Sequence, residues 1–208
     1  MMLSASEALA RLREGNRRFV SNRSDLAELS HRERRTALIQ GQEPFAIVLG
    51  CSDSRVPAEL VFDQGFGDLF VIRVAGNIVA PSQIGSVEFA AERFGTRLVV
   101  VMGHSQCGAI TATLEALSGS ANPESRNLRS IVDRVRPSVE SVIARQPSAD
   151  WQLLAPEAVR ANVRASVHDL RHGSELLENL VREKGLLIVG AEYSLETGAV
   201  EFLIDPED

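Results

Sequence analysis

Four short runs of unbroken apolar residues, at 45–50, 69–72, 98–102 and 186–189, constrain this chain more than any other feature. A strand with one face in water alternates apolar and polar side chains, whereas a strand covered on both faces need not. None of the four alternates, and each is too short for a typical helix. Between them apolar residues recur at helical spacing. Ile84, Val87, Ala91 and Phe94 lead to Gly95, and 109–117 stops at Gly119. Leu128, Ile131, Val135, Val139 and Val142 form a stripe interrupted by Pro137. Val159, Val163, Val167 and Leu170 continue through Leu177 and Leu180 to Gly185, with a kink expected at Gly173. A fifth run, 200–204, carries Glu201 and follows a turn at Thr197-Gly198, as an edge strand of a hairpin would. The expectation is an α/β fold: a mainly parallel central sheet of about four parallel strands plus an antiparallel edge strand, flanked by helices.

Ser4-Ala-Ser-Glu7 reads as a capping box that opens a helix with Leu9, Leu12, Phe19 and Val20 on its apolar stripe. The run His31-Arg-Glu-Arg-Arg35 reads as a solvated helix face, and 118–127 and 146–155 as loops. Residues 1–40 are thus expected to be an N-terminal helical arm of the same domain, with 41–208 the α/β core. A chain of 208 residues can bury one full core. Its net charge of −6 argues against nucleic acid or an anionic membrane as partner. No segment approaches a membrane span, and Met1-Met2-Leu3-Ser4 lacks the basic and apolar regions of a secretory signal, so the cytoplasm is expected.

The chemistry concentrates in two clusters, Cys51-Ser-Asp53-Ser-Arg55 and His104-Ser-Gln-Cys107. They contain both cysteines of the chain, too few for a disulfide framework. Two thiolates and an imidazole are a natural zinc set, and Asp53 offers a conditional fourth ligand in a closed state. Cys51 follows the first predicted strand and His104 the third. If these strands are neighbours whose helices leave on opposite sides, both clusters face one crevice at the carboxyl ends of the sheet. His31, His168 and His172 lie in polar or helical stretches and read as surface residues.

Charge counting refines this picture. Two thiolates neutralise Zn²⁺, so water there is acidified less than at a three-histidine centre, and activity should rise toward mildly alkaline pH. Asp53 could displace the water at low pH, and a two-pronged pair with Arg55 would oppose that.

Together with Val56-Pro-Ala-Glu59, Gly67-Asp-Leu-Phe-Val-Ile-Arg73, Val74-Ala-Gly-Asn77 and Gly103-His-Ser-Gln-Cys-Gly-Ala109, these clusters resemble the β-class carbonic anhydrases over roughly residues 5–205. The resemblance implies zinc on Cys51, His104 and Cys107, attack of zinc-bound hydroxide on carbon dioxide to give bicarbonate, and Asp53 with Arg55 as a gate dyad. It implies substrate contacts from Gln42 and the Gly108 amide, and a pocket lined by Phe70 and Ala75. Phe89 stands where plant-like members carry a tyrosine. Members of this family are homodimers, homotetramers or larger, with the cleft completed by a partner and the N-terminal helix wrapping across. Residues 46–49 contain no tryptophan, unlike the bicarbonate-inhibited subgroup, although Arg73 and Tyr193 match its other positions. This favours the non-allosteric type. The same zinc set also serves hydrolysis of carbon disulfide or carbonyl sulfide. A non-catalytic zinc or bicarbonate sensor would have no need of Asp53, Arg55 and Gln42.

Overall fold

Strands β1 (Ala46–Gly50), β2 (Leu69–Arg73), β3 (Leu98–His104), β4 (Leu187–Tyr193) and β5 (Val200–Leu203) form one sheet in the order β2-β1-β3-β4-β5. The computed structural model describes residues 3–24, 30–119, 125–147 and 149–203. The first four strands are parallel, and β5 pairs antiparallel with β4. Eight α-helices flank the sheet among the described residues. They are α1 (Ala5–Val20), α2 (Arg32–Ala37), α3 (Ala58–Val61), α4 (Pro81–Arg93), α5 (Gly108–Leu117), α6 (Arg126–Arg145), α7 (Trp151–His172) and α8 (Glu175–Lys184).

Burial explains why the apolar runs do not alternate. Ala46 and Val48 of β1 pack on one face with Leu12 of α1 and Val61 and Phe62. Ile47 and Leu49 pack on the other with Val87 and Ala90 of α4 and Val163 and Leu170 of α7. Every residue of β1 and β3 is buried. A third cluster, with Ile110 and Leu114 of α5 and Val135, Val139 and Val142 of α6, encloses Cys51 and Cys107.

The chain steps from β1 outward to β2 and returns to β3 on β1's other side, so strand order reverses between β1 and β3. Their connections part: α3 joins the first core and α5 the third. The expected crevice therefore opens where Cys51 and His104 emerge.

Several boundaries differ from expectation. β4 runs on to Tyr193 past Glu192, whose charge is met by Arg160 Nε at 2.7 Å. α6 passes unbroken through Pro137, which is exposed, so the carbonyl it leaves unpaired faces water. Gly173 ends α7 instead of kinking it, and Ser174 caps α8 through the Leu177 N–H. Residues 151–155 are helical, because Asp150 caps α7 through Gln152 N–H. His31, read as part of a solvated run, caps α2 through the Arg34 N–H. Ile204 and residues 120–124 and 148, placed above in a strand and two loops, lie outside the described residues.

The capping box is present, with Ser4 N–H 2.8 Å from Glu7 Oε2 and Glu7 N–H 3.3 Å from Ser4 Oγ. The buried Asn16 then fastens α1 to its own chain. Its amide donates to the carbonyls of Val61 and Gly198 and accepts from Val200 N–H. Gly15 makes this approach possible, since a β-carbon there would sit 1.8 Å from the Phe62 carbonyl oxygen. Gly15→Ala should therefore destabilise the protein by about 1–3 kcal/mol through overpacking. Gly85→Ala, in α4 with open space around it, should instead gain about 0.5–1 kcal/mol. Urea unfolding at fixed protein concentration tests both, and an unchanged midpoint for Gly15→Ala would refute the close approach.

Candidate metal centre

β1 ends one residue before Cys51, β3 ends on His104, and Cys107 immediately precedes the first residue of α5. One ligand atom from each of the three lies within 4.8 Å of the others, and all three residues are buried. The cysteines are free thiols. His104 Nδ1 stands 2.9 Å from the Ser105 carbonyl oxygen, which fixes the ring proton on Nδ1 and leaves the Nε2 lone pair free. Nε2 is buried without a hydrogen-bond partner. A buried unsatisfied acceptor is costly unless something takes its lone pair. Beside two sulfurs, that something fits a thiophilic, imidazole-binding cation such as Zn²⁺.

The protonation of the set follows from its crowding. The Cys107 thiol beside it holds Cys51 well below the usual thiol range, against the opposing effect of burial. That same contact, together with burial, pushes Cys107 far up. The two sulfurs thus favour sharing one proton over ionising together. Burial opposes charge on His104, but the adjacent Cys51 sulfur outweighs it and raises the imidazole.

Asp53 sits in the turn after Cys51, with Oδ2 4.0 Å from His104 Nε2. Arg55 grips it with two prongs, Nε to Oδ1 at 2.9 Å and Nη2 to Oδ2 at 2.8 Å, and its backbone N–H adds a third bond at 3.0 Å. The Arg55 side chain, despite partial burial of the carboxyl, holds Asp53 well below the usual carboxylate range.

Other residues brace this turn through backbone contacts. Arg73 donates from Nε to the Cys51 carbonyl at 3.0 Å and from Nη2 to the Asp53 carbonyl at 2.6 Å. Gly76 N–H points at Cys51 Sγ, 3.4 Å away. Its φ of 71° and a β-carbon position 2.9 Å from Ala109 Cβ restrict this site to glycine. Asn162 Nδ2 donates to the Gly76 carbonyl at 2.8 Å, and Ser166 Oγ to that of Asn77 at 3.0 Å. Asn162 and Ser166 carried no sequence signal beyond being polar residues on an apolar helix stripe.

Of the remaining expected site residues, two come to the centre and three do not within one chain. Ala75 adjoins Gly76, and Gly108 opens α5 beside Cys107. Gln42 lies off the amino end of β1, separated from Cys51 by the length of the strand, about 17 Å at a rise of ~3.3 Å per residue. It lines a groove of about 660 Å³ with Leu3, Arg11, Phe45 and Arg93. Phe70 pairs in register with Ile47, well below the carboxyl end. Its ring centroid lies 6.1 Å from that of Phe89, tilted by 42°, and the Phe89 ring is half exposed. His168 and His172 are exposed on α7.

A family model described as carbonic anhydrase matches residues 46–200. Carbonic anhydrase 2 of Mycobacterium tuberculosis is 38% identical over 187 residues, covering 90% of this chain and 87% of that protein. A carbonic anhydrase of Mycolicibacterium smegmatis is 40% identical over 190 residues, covering 91% and 89%. Among solved structures, the β-carbonic anhydrase CafA of Aspergillus fumigatus superposes with a TM-score of 0.76 at 26% identity, covering 97% of this chain and 92% of that one.

Metal uptake must discharge the protons described above. Burial and the neighbouring Cys51 sulfur raise Cys107, and the same sulfur raises His104, so a cation that binds both must displace protons from them. Apparent Zn²⁺ affinity should therefore rise about tenfold or more per pH unit from pH 6.5 to 8. Competition with a chromogenic chelator measures it, and a pH-independent affinity would contradict the assigned protonation.

Proposed function

The chain belongs to the β-class carbonic anhydrase family, and from that premise we propose that Cys51, His104 and Cys107 hold Zn²⁺ for the reversible hydration of carbon dioxide to bicarbonate and a proton. The observation that carries this reading is the unpartnered, buried His104 Nε2 facing two thiols. When bound, zinc supplies a Lewis acid that lets water ionise within reach of neutral pH.

The protein's own groups then do the positioning. The Asp53 carboxylate, kept ionised by Arg55, can only accept a hydrogen bond, so it favours an oxygen that still carries a proton. Arg55 also engages both oxygens of that carboxylate, which would oppose its entry as a further ligand to the metal. Arg73 and Gly76 fix the turn that carries Cys51 and Asp53. Ala75 and the Gly108 amide border the space where carbon dioxide would lie. Its hydration forms one C–O bond and sends one proton to buffer.

Gln42, Phe70 and Phe89 enter the same reading through a second copy of the chain. They occupy a surface remote from their own centre, and the half-exposed Phe89 ring suits an interface. A homodimer or homotetramer that brings this surface to a partner's centre would complete both sites; one structurally similar β-carbonic anhydrase, from Sordaria macrospora, is described as tetrameric. No helix among the described residues is long and apolar enough to cross a membrane. Two free thiols suit a reducing cytoplasm, the proposed location.

Stopped-flow carbon dioxide hydration tests the function. Activity should rise from pH 7 to 9, vanish in Cys107→Ala, and fall about 10- to 100-fold in Arg55→Ala. A zinc-loaded wild type without activity at alkaline pH would sink the proposal. Shared sites predict complementation: Gln42→Ala and Asp53→Ala chains, unfolded and refolded together, should regain about one quarter of wild-type activity as mixed dimers with one intact site. No gain over the separate variants would place Gln42 outside the partner's centre.

A further inference from the structure

The two residues between His104 and Cys107 are held from far along the sequence. Ser105 N–H donates to the Tyr193 carbonyl at 2.9 Å, and Ser105 Oγ accepts from Leu195 N–H at 2.9 Å. Three donors converge on the Glu196 carboxylate: Gln106 Nε2 at 2.7 Å, Ser105 Oγ at 3.0 Å and Ser194 Oγ at 3.1 Å. Gln106 needs such support, because its φ of 57° lies in the left-handed region that non-glycine residues seldom adopt. The Gln106 carbonyl in turn lies 3.4 Å from Arg55 Nη2, which also grips Asp53.

We infer that Glu196 is a positioning residue, which holds Ser105 and Gln106 so as to fix the spacing of His104 to Cys107 and the seat of the Arg55–Asp53 pair. Its carboxyl stays below the usual range through its own backbone N–H first, then Gln106, Ser105 and Ser194, so it acts as an ionised acceptor at working pH. An amide in its place keeps one acceptor oxygen for Gln106 but removes the charge, and its NH₂ group would turn the Ser105 and Ser194 hydroxyls from donors into acceptors. Supporting contacts of this kind around a metal commonly govern affinity and rate by 10- to 100-fold.

The inference rests on the proposed zinc site, and its test separates the two. Wild type, Glu196→Gln, Gln106→Ala and the double variant are compared for Zn²⁺ affinity by chelator competition, for the visible spectrum of the Co²⁺-loaded protein, for kcat and KM, and for melting of the metal-free protein. For each single variant the expected result is about a tenfold loss in Zn²⁺ affinity and in kcat, a shifted Co²⁺ band and nearly unchanged metal-free melting. The double variant should lose less than the sum of the two single losses, since the Gln106–Glu196 contact is common to both. Wild-type-like affinity, spectrum and kcat in Glu196→Gln would overturn the inference. So would losses that merely track a lower metal-free melting temperature, or losses that add in the double variant. If Glu196→Gln does not fold, Gln106→Ala carries the same comparison. A wild type that neither binds Zn²⁺ nor hydrates carbon dioxide would overturn the proposed function, and this inference with it.

Discussion

The parallel pairing of β1 with β3 is the constraint on which the rest of the molecule depends. Gly50 lies opposite Met102 in that register, so the residues that follow the two strands emerge side by side. Cys51 arrives from one strand, His104 closes the other, and Cys107 follows at the first turn of α5. Were β1 and β3 separated by another strand, their ends would stand about 10 Å apart and no single ion could bridge them. Strand order, set by which apolar faces are covered by which helices, therefore precedes the chemistry.

The centre this pairing creates is poor in water and crowded with groups that compete for protons. Two sulfurs and an unpaired imidazole nitrogen share one buried volume, an arrangement that favours a cation. The surrounding backbone is bent to suit. Asn77 and Gln106 both have left-handed φ values, and each lies in a segment held by distant polar side chains. The Asp53–Arg55 pair stands at the edge, more exposed than the sulfurs, where it can meet solvent and the centre together.

Much of this was legible in the sequence because the signals are local. Continuous apolar runs marked the strands, since both faces of β1 and β3 are buried, and within each of the two clusters the residues sit a few positions apart. What escaped depended on partners far away in the chain. The end of β4 was hidden by Glu192, an edge-ward charge that only Arg160 makes intelligible. Pro137 looked like a break because its exposure is a tertiary fact. Arg73, Asn162 and Ser166 work on backbone atoms 20 to 89 positions away, and no spacing rule reaches that far. Gln42 is the opposite case. The resemblance implied a substrate contact from it, while the intervening strand carries it to the end of the sheet opposite its own Cys51.

The hairpin that braces residues 105 and 106 also orders events in time. Its carboxylate at residue 196 lies 91 positions after Ser105, and a ribosome delivers the chain from the amino end. During synthesis both cysteines leave the exit tunnel well before Glu196 and before β4, the strand on the far side of β3. The nascent chain therefore carries two thiols and an imidazole for some time without the turn that sets their spacing. The spacing of the three donors is therefore set only once the last two strands have joined the sheet.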